Sequence, residues 1–154
     1  MRVYRIERHK YLPEVLSGRG AALSEGNRWN SLHTPMVYCS ESRSLALLEV
    51  LAHVDLYTEL PTDRMLVEIE IPDGMTVQHL PTELLPDGWN TFPSGEGTQR
   101  IGDDFIRKSD HLLMQVPSSL VEGEYNFLIN PLHPKAKEIR IISAVQIKPE
   151  RWRK

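Results

Sequence analysis

One carboxylate stands alone in a long apolar stretch of this sequence. Between Arg43 and His53 the only ionisable side chain is that of Glu49, and leucine, alanine and valine make up most of the remaining positions. Burying a carboxylate among apolar side chains costs free energy unless the group has a partner or a chemical task. Glu49 is therefore the first candidate for chemistry in the chain.

The nearest arginine on the other side of the intervening strand is Arg28, and two interpretations of this pair are open. In the first, Arg28 and Glu49 converge on one cleft, where a fixed cation and a carboxylate would act on a ligand. In the second, they form a structural ion pair that pins a loop to a helix, because networks that perturb pKa values are not always functional sites.

A loop and a strand are predicted to place the first of these residues. Residues 26–31 are predicted to form a loop, since Gly26 and Asn27 are residue types that tolerate positive φ. Residues 36–39 follow Pro35 and are rich in β-prone side chains, which predicts a short strand that carries Tyr38.

A helix is predicted to carry Glu49. Ser40 and Ser42 are candidate N-caps for this helix, which the pattern extends to about Val54. Its apolar residues cover most of the circumference, and this distribution is typical of a buried helix. Ala46 and Glu49 lie on the one stripe that is not strongly apolar.

The rest of the chain predicts an α+β fold with a mixed or antiparallel sheet at its core and few helices. Alternation of Val67, Ile69 and Ile71 with two glutamates indicates a half-buried strand, and the glutamates are assigned to the solvated face. A second helix is predicted from Thr98, as its cap, to Lys108. Residues 81–97 are rich in proline and glycine and are interpreted as a lid or a long surface excursion. The other predicted strands cover residues 3–6, 75–78, 111–116, 124–131 and 139–147.

Composition excludes several classes of function. The chain has 154 residues, a formal net charge of −3 and one cysteine, Cys39. A net negative charge without a basic block argues against non-specific binding to nucleic acid, and one cysteine allows no internal disulfide. The histidines lack ligand spacing, so no metal site is expected, and no apolar run is long enough to span a membrane. The cytoplasm is the expected location.

Taken together, the motifs resemble the RES domain. The matching segments are GNRWNS at 26–31, PMVYCSES at 35–42, LALLEVLAH at 45–53, VPS at 116–118 and EYNFLINPLHP at 124–134. The likeness extends from Tyr4 to Ile147, so residues 1–154 are interpreted as one RES domain. The arginine, glutamate and serine that give the family its name match Arg28, Glu49 and Ser118. One departure is Asn27, where the family more often has a second glycine.

The resemblance implies a fold similar to that of the ADP-ribosyltransferase toxins and a role as toxin of a RES–Xre toxin–antitoxin module. It implies that NAD is a substrate, with no cofactor, and that the partner is an Xre-type helix-turn-helix antitoxin in a hetero-oligomer. Glu49 would stabilise the developing cation, Arg28 would bind the pyrophosphate, and Tyr38 would stack on nicotinamide. Ser118 would bond a phosphate or a ribose hydroxyl, and Asn30 and Ser40 are further candidate substrate-binding residues.

The acceptor of the ADP-ribose group stays open, since water, phosphate and a protein side chain all suit this chemistry. NAD hydrolysis or phosphorolysis is the main hypothesis, and ADP-ribosylation of a protein is the alternative. A non-enzymatic binding module with a structural Arg28–Glu49 pair is an alternative of another class. A toxin ribonuclease is disfavoured by the acidic balance of the chain.

Overall fold

Seven strands form one sheet in the computed structural model, which describes residues 1–55, 57–58 and 61–152. The strands are β1 (Arg2–Arg8), β2 (Val37–Ser40), β3 (Arg64–Glu70), β4 (Val77–His79), β5 (Leu113–Pro117), β6 (Tyr125–Ile129) and β7 (Arg140–Gln146). Their order across the sheet is β4-β5-β6-β2-β1-β3-β7, and every neighbouring pair is antiparallel except β4 and β5. The predicted α+β class with a mixed sheet is confirmed.

Three α-helices accompany the sheet in the described residues. They are α1 (Arg19–Ala22), α2 (Arg43–Leu51) and α3 (Glu96–Lys108). Short 3-10 helices occur at His9–Glu14, Thr82–Leu84, Ala136–Glu138 and Pro149–Trp152. None of the described helices is long and apolar enough to cross a membrane.

The sheet separates two clusters of buried apolar side chains. One cluster gathers around Val3, Val67 and Ile69, and the other around Trp29 and Phe105, beneath α3. The alternation that predicted β3 explains the first cluster, because every second side chain of a strand points to the same face.

On the other face of β3, Glu68 is not simply solvated. Its side chain is 18% exposed and forms ion pairs with Arg2 at 2.8 Å and with Arg43 of α2 at 3.0 Å. These pairs contribute to holding α2 over the sheet. The assignment of Glu68 to a solvated face is corrected accordingly.

Helix α3 packs very closely on the loop at residues 26–31. A Cβ atom added to Gly102 would lie 1.6 Å from the carbonyl oxygen of Trp29, so only glycine fits there. The predicted cap was wrong, since Gly95 is the N-cap and Thr98 lies inside the helix, where its hydroxyl donates to the Gly95 carbonyl. Helix α3 therefore supports the loop that carries Arg28.

Helix α2 begins as predicted, because the Ser42 hydroxyl accepts a hydrogen bond from the Leu45 amide at 3.1 Å. It ends at Leu51, and the predicted extension to about Val54 was wrong. Its burial was also overestimated, since only Leu45 and Ala46 are buried and Leu48 is 40% exposed. The helix lies on β1 and β2 with one face, and the other faces border a cleft and solvent.

Candidate active site

Glu49 is held at one side of its carboxylate. Its Oε1 atom accepts a hydrogen bond from Asn126 Nδ2 at 2.7 Å and a longer one from Ser118 Oγ at 3.4 Å. Within the described part of the chain, Oε2 accepts no hydrogen bond, and Glu49 lines a large cleft. One oxygen is thus anchored to the sheet, while the other is free for a ligand.

The two donors to Glu49 are themselves fixed. Asn126 of β6 lies opposite Ser40 of β2 in the antiparallel ladder, and the Ser40 hydroxyl donates to Asn126 Oδ1 at 2.7 Å. Ser118 follows β5, and its Oγ accepts the amides of Leu120 and Val121, both at 3.1 Å. Because both acceptor sites of this hydroxyl are used, its proton is directed to Glu49. Ser118 is 5% exposed and adjoins the carboxylate as a supporting group.

Tyr38 is fixed by its hydroxyl group. The hydroxyl donates to Asn30 Oδ1 at 2.6 Å and accepts the Trp29 amide at 3.1 Å. Burial raises the pKa of Tyr38 far above its ordinary value, so the phenol stays neutral at physiological pH. Tyr38 lines the cleft, and its hydroxyl is committed to the loop.

Asn30 has no exposed side chain with which to meet a ligand. It is 0% exposed, and its Nδ2 atom donates to the carbonyl groups of Ala21, Ser31 and Thr34. Asn30 does not line the cleft itself and contacts it through the lining residues Tyr38 and Ala21. Direct substrate binding by Asn30, which the resemblance implied, finds no surface here.

Residues 26–31 form a loop as predicted, although only Gly26 uses positive φ, at 79°. Asn27 does not adopt that conformation, and its side chain instead donates to the carbonyls of Ala21 and Ser24 at 3.1 Å. From α3, Asp103 accepts hydrogen bonds from the amide and hydroxyl groups of Ser31 at 3.0 and 2.6 Å. These two hydrogen bonds join α3 to the end of the loop.

Arg28 does not pair with Glu49 or with any other carboxylate among the described residues. Its Nη1 atom donates to the carbonyl of Trp89 and, at 3.0 Å, to the carbonyl of Thr91. The structural Arg28–Glu49 ion pair considered above is therefore wrong. Burial lowers the pKa of Arg28, while the nearby groups Glu49 and Tyr38 oppose this shift. The loop thus holds the Arg28 cation close to Glu49. Among the described residues, the groups that accept hydrogen bonds from this cation are neutral carbonyls.

The cleft has a volume of about 920 Å³ and lies between α2, the sheet and residues 14–27. Three of the predicted site residues line it, namely Tyr38, Ser40 and Glu49, and so does Asn126. Arg28, Asn30 and Ser118 are not among its lining residues, but each interacts with one of them, Arg28 and Ser118 with Glu49 and Asn30 with Tyr38. The described residues contain no cluster of three His, Cys, Asp or Glu side chains that could hold a metal ion.

Asn126 is the site residue that the sequence reasoning missed. The sequence places it only within a strand and a motif, although it makes the shorter of the two hydrogen bonds to Glu49. An amide inside a β-prone run, at the position between Tyr125 and the buried Phe127, was the available signal.

The fold and this arrangement of residues define a RES domain. The RES domain model matches residues 2–152, and the chain belongs to this family. Among curated relatives, a protein named Prs ADP-ribosylating toxin from a Sphingobium species is 39% identical over 132 residues, which cover 84% of this chain and 81% of that protein. A protein named Toxin Res from Photorhabdus laumondii is also 39% identical, and the match covers 86% of this chain and 83% of the relative.

A solved structure shows the same fold at lower sequence identity. A chain in the crystal structure of the MbcT–MbcA toxin–antitoxin complex of M. tuberculosis matches with a TM-score of 0.76 and 19% identity. The match covers 98% of this chain and 86% of that chain.

Proposed function

We propose that this protein is the toxin of a toxin–antitoxin module and that it consumes NAD by breaking the bond between nicotinamide and ribose. The observation that carries the proposal is the Glu49 carboxylate, which is anchored through Oε1 and open at Oε2 beside a cleft of about 920 Å³. Cavities of roughly 300–1,000 Å³ are typical of sites for small molecules and cofactors. The names of the relatives support the toxin role.

One carboxylate suffices for this reaction. The C1′–N bond breaks, and its electron pair goes to the nicotinamide nitrogen, which changes from a pyridinium to a neutral base. The leaving group therefore needs no proton, unlike the alcohol that leaves in glycoside hydrolysis. The ribose carbon passes through an oxocarbenium-like state, and the fixed negative charge of Glu49 would stabilise that cation. The acceptor oxygen then bonds to C1′ and releases its proton to solvent.

Arg28 is the cation best placed for the pyrophosphate. Arg28 does not line the cleft itself, but it follows the lining residue Asn27 and interacts electrostatically with Glu49 and Tyr38. The arginines that do line the cleft each have a carboxylate within 4.0 Å, namely Arg5, Arg8, Arg19 and Arg64. Arg28 has only carbonyl partners among the described residues, so its positive charge is not neutralised by a nearby anion in contact. An arginine guanidinium binds phosphate groups through several parallel hydrogen bonds. The Nη2 and Nε groups of Arg28 would serve this purpose.

The aromatic face of Tyr38, and not its hydroxyl group, would meet the nicotinamide ring. The hydroxyl already bonds to Asn30 and to the Trp29 amide, and Tyr38 lines the cleft. Ser118 would support the reaction by donating to Glu49, and Ser40 would support it by orienting Asn126. Any contact of these serines with a phosphate group or with the ribose would be additional to this role. NAD is the substrate in this proposal, and no resident cofactor takes part.

Transfer of ADP-ribose to a protein is the second candidate, and one relative favours it. The Sphingobium protein carries the name of an ADP-ribosylating toxin at 39% identity. The chemistry at C1′ is the same, and only the acceptor differs between water, phosphate and a protein side chain. Mass spectrometry of the small-molecule products and of protein adducts from treated lysate would distinguish these acceptors.

The proposed partner is an antitoxin of the Xre helix-turn-helix type that blocks the cleft in a hetero-oligomer. An enzyme that degrades NAD in the cytoplasm would starve its own cell, so its activity must be restrained. Expression of the chain alone should arrest growth and lower cellular NAD, and co-expression of the antitoxin should prevent both effects. Soluble protein with normal growth and unchanged NAD would contradict the toxin role.

The direct test uses purified protein and NAD. Release of nicotinamide, followed by chromatography, is the expected result, with the Glu49→Gln variant as the matched control. A non-enzymatic binding module would release none at any protein concentration. Incubation with total RNA should leave the RNA intact.

A further inference from the structure

We propose that Asn126 is a positioning residue that fixes the orientation of the Glu49 carboxylate, so that one oxygen is anchored and the other faces the cleft. The kinetic part of this inference rests on the proposed function, whereas its structural part does not. The Asn126 side chain joins the sheet to α2 through two hydrogen bonds of 2.7 Å, one from Ser40 and one to Glu49. No other described side chain makes both of these contacts.

Ser40 fixes the orientation of the Asn126 amide. Its hydroxyl group donates to Oδ1, and this turns the amino group of Asn126 toward Glu49. Asparagine has a carbonyl acceptor at one end and two N–H donors at the other. In this orientation it can only donate to the carboxylate, which suits an ionised Glu49. The two strands set this geometry, because Ser40 and Asn126 are direct cross-strand partners.

Both donors to the carboxylate act on the same oxygen. Asn126 and Ser118 approach Oε1 from β6 and from the end of β5, and neither contacts Oε2. A hydrogen bond to a charged acceptor is stronger than one between neutral groups. The pair of donors therefore resists rotation of the carboxylate about its terminal bond. Oε2 stays directed to the cleft, where a reacting cation would develop.

Other charged and titratable groups face this cluster and must be considered when pH is varied. Arg28 interacts electrostatically with Glu49 from the loop, and β1, β2, β3, residues 11–19 and the segment after α2 also contribute groups to the same cleft. These groups are Tyr4, Arg5, Glu7, Arg8, Tyr11, Glu14, Arg19, Tyr38, Cys39, His53 and Arg64. All of them are unchanged in the variants below, so a difference between the variants reports on position 126.

Kinetics of Asn126→Ala and Asn126→Asp test the inference. Asn126→Ala should lower kcat roughly 10- to 100-fold, as loss of a group that orients a functional residue commonly does, with KM nearly unchanged. Asn126→Asp places a second carboxyl against Glu49, and two carboxyl groups in contact resist double ionisation. The acid limb of the pH–rate profile of Asn126→Asp should move to higher pH by about one unit or more. Raising the pH should therefore partly restore the activity of Asn126→Asp but not that of Asn126→Ala.

Two kinetic results would overturn the inference. An increase in KM at unchanged kcat would assign Asn126 to substrate binding, and a fall in activity that only follows the folded fraction would make its role structural. Circular dichroism and melting curves of each variant give the folded fraction. Ser40→Ala should show a smaller fall in kcat than Asn126→Ala, because it removes only the group that fixes the amide orientation.

Side-chain NMR tests the same contact without any activity. The amide signals of Asn126 should shift in Glu49→Ala and in Ser40→Ala. Asn130 is the internal control, since its amide donates to Ile106 and Ser109 and should not respond. Unchanged Asn126 signals would refute the positioning role. Shifted signals in a protein that releases no nicotinamide would refute the proposed function and leave the contact established.

Discussion

Replacement of Glu49 by glutamine separates catalysis from structure most clearly. The substitution keeps the size of the side chain and removes its charge. A glutamine can keep its carbonyl oxygen toward Asn126 and Ser118, so both donors retain an acceptor. The cost to stability should be small, on the order of 1 kcal/mol, which is typical of weakening one charged hydrogen bond to a neutral one.

The expected effect on turnover is much larger. Two unit charges 4 Å apart interact by about 4 kcal/mol at an effective dielectric constant of about 20. The cation at the transition state carries part of a unit charge, so a loss of about 3 kcal/mol is expected, which is the range measured for other electrostatic stabilisers. A loss of this size corresponds to roughly a 100-fold to 1,000-fold fall in kcat. Affinity for NAD should change far less, because the cation exists only near the transition state.

Nicotinamide release, NAD affinity and melting temperature should be measured on the same preparation. Glu68→Gln is the matched control, since Glu68 is also a partly buried carboxylate but forms ion pairs with Arg2 and Arg43 and does not line the cleft. Glu68→Gln should lower the melting temperature and keep turnover. A folded Glu49→Gln protein with near-normal turnover would refute the catalytic assignment. A large fall in stability with activity proportional to the folded fraction would also refute it.

Three further predictions concern the loop, the helix beneath it and the buried thiol. Arg28→Ala should weaken NAD binding about 10-fold or more with a smaller effect on kcat, and Arg28→Lys should not restore binding because an ammonium lacks the planar fork; calorimetry with NAD measures both. Gly102→Ala should cost more than about 3 kcal/mol of unfolding free energy, since its Cβ would meet the Trp29 carbonyl, whereas Gly20→Ala, inside α1 with open space around its Cβ, should cost little. Burial raises the pKa of Cys39 to about 12, so the native thiol should resist a thiol reagent at pH 8. The unfolded thiol ionises above about pH 8.5, so stability should fall from there toward pH 12, and Cys39→Ala should reduce this loss in alkaline denaturation.

The sheet was largely predictable because its strands carry local signals. Alternation around Val67 and Ile69 and β-prone residues around Tyr38 gave the strands β3 and β2 close to their observed bounds. The length and burial of helix α2 were less predictable, although its N-cap at Ser42 was predicted. An apolar stripe does not reveal whether the opposite face meets a second layer or a cleft, and here Leu48 and its neighbours meet no second layer.

The site was predictable in its residue types and not in its contacts. Glu49 and Arg28 stand out in the sequence because each is an isolated charge beside apolar or glycine-rich segments. Their partners come from distant parts of the chain, since Asn126 is 77 positions from Glu49 and Trp89 is 61 positions from Arg28. No local pattern specifies such pairs, and this is why an ion pair between Arg28 and Glu49 was a reasonable and wrong interpretation.

The partners of Arg28 also bear on how a ligand would bind. An arginine that is already in an ion pair must give up its carboxylate partner to bind a phosphate, so the net gain in binding free energy is small. Arg28 contacts main-chain carbonyls of residues 89 and 91, which can remain in place while its other N–H groups bind an anion. The pyrophosphate of NAD would therefore add the first contacting negative charge to a cation that the loop already holds in position. From the sequence, residues 81–97 were interpreted as a lid or a long surface excursion. In this binding mode their main role would be to hold Arg28 in position.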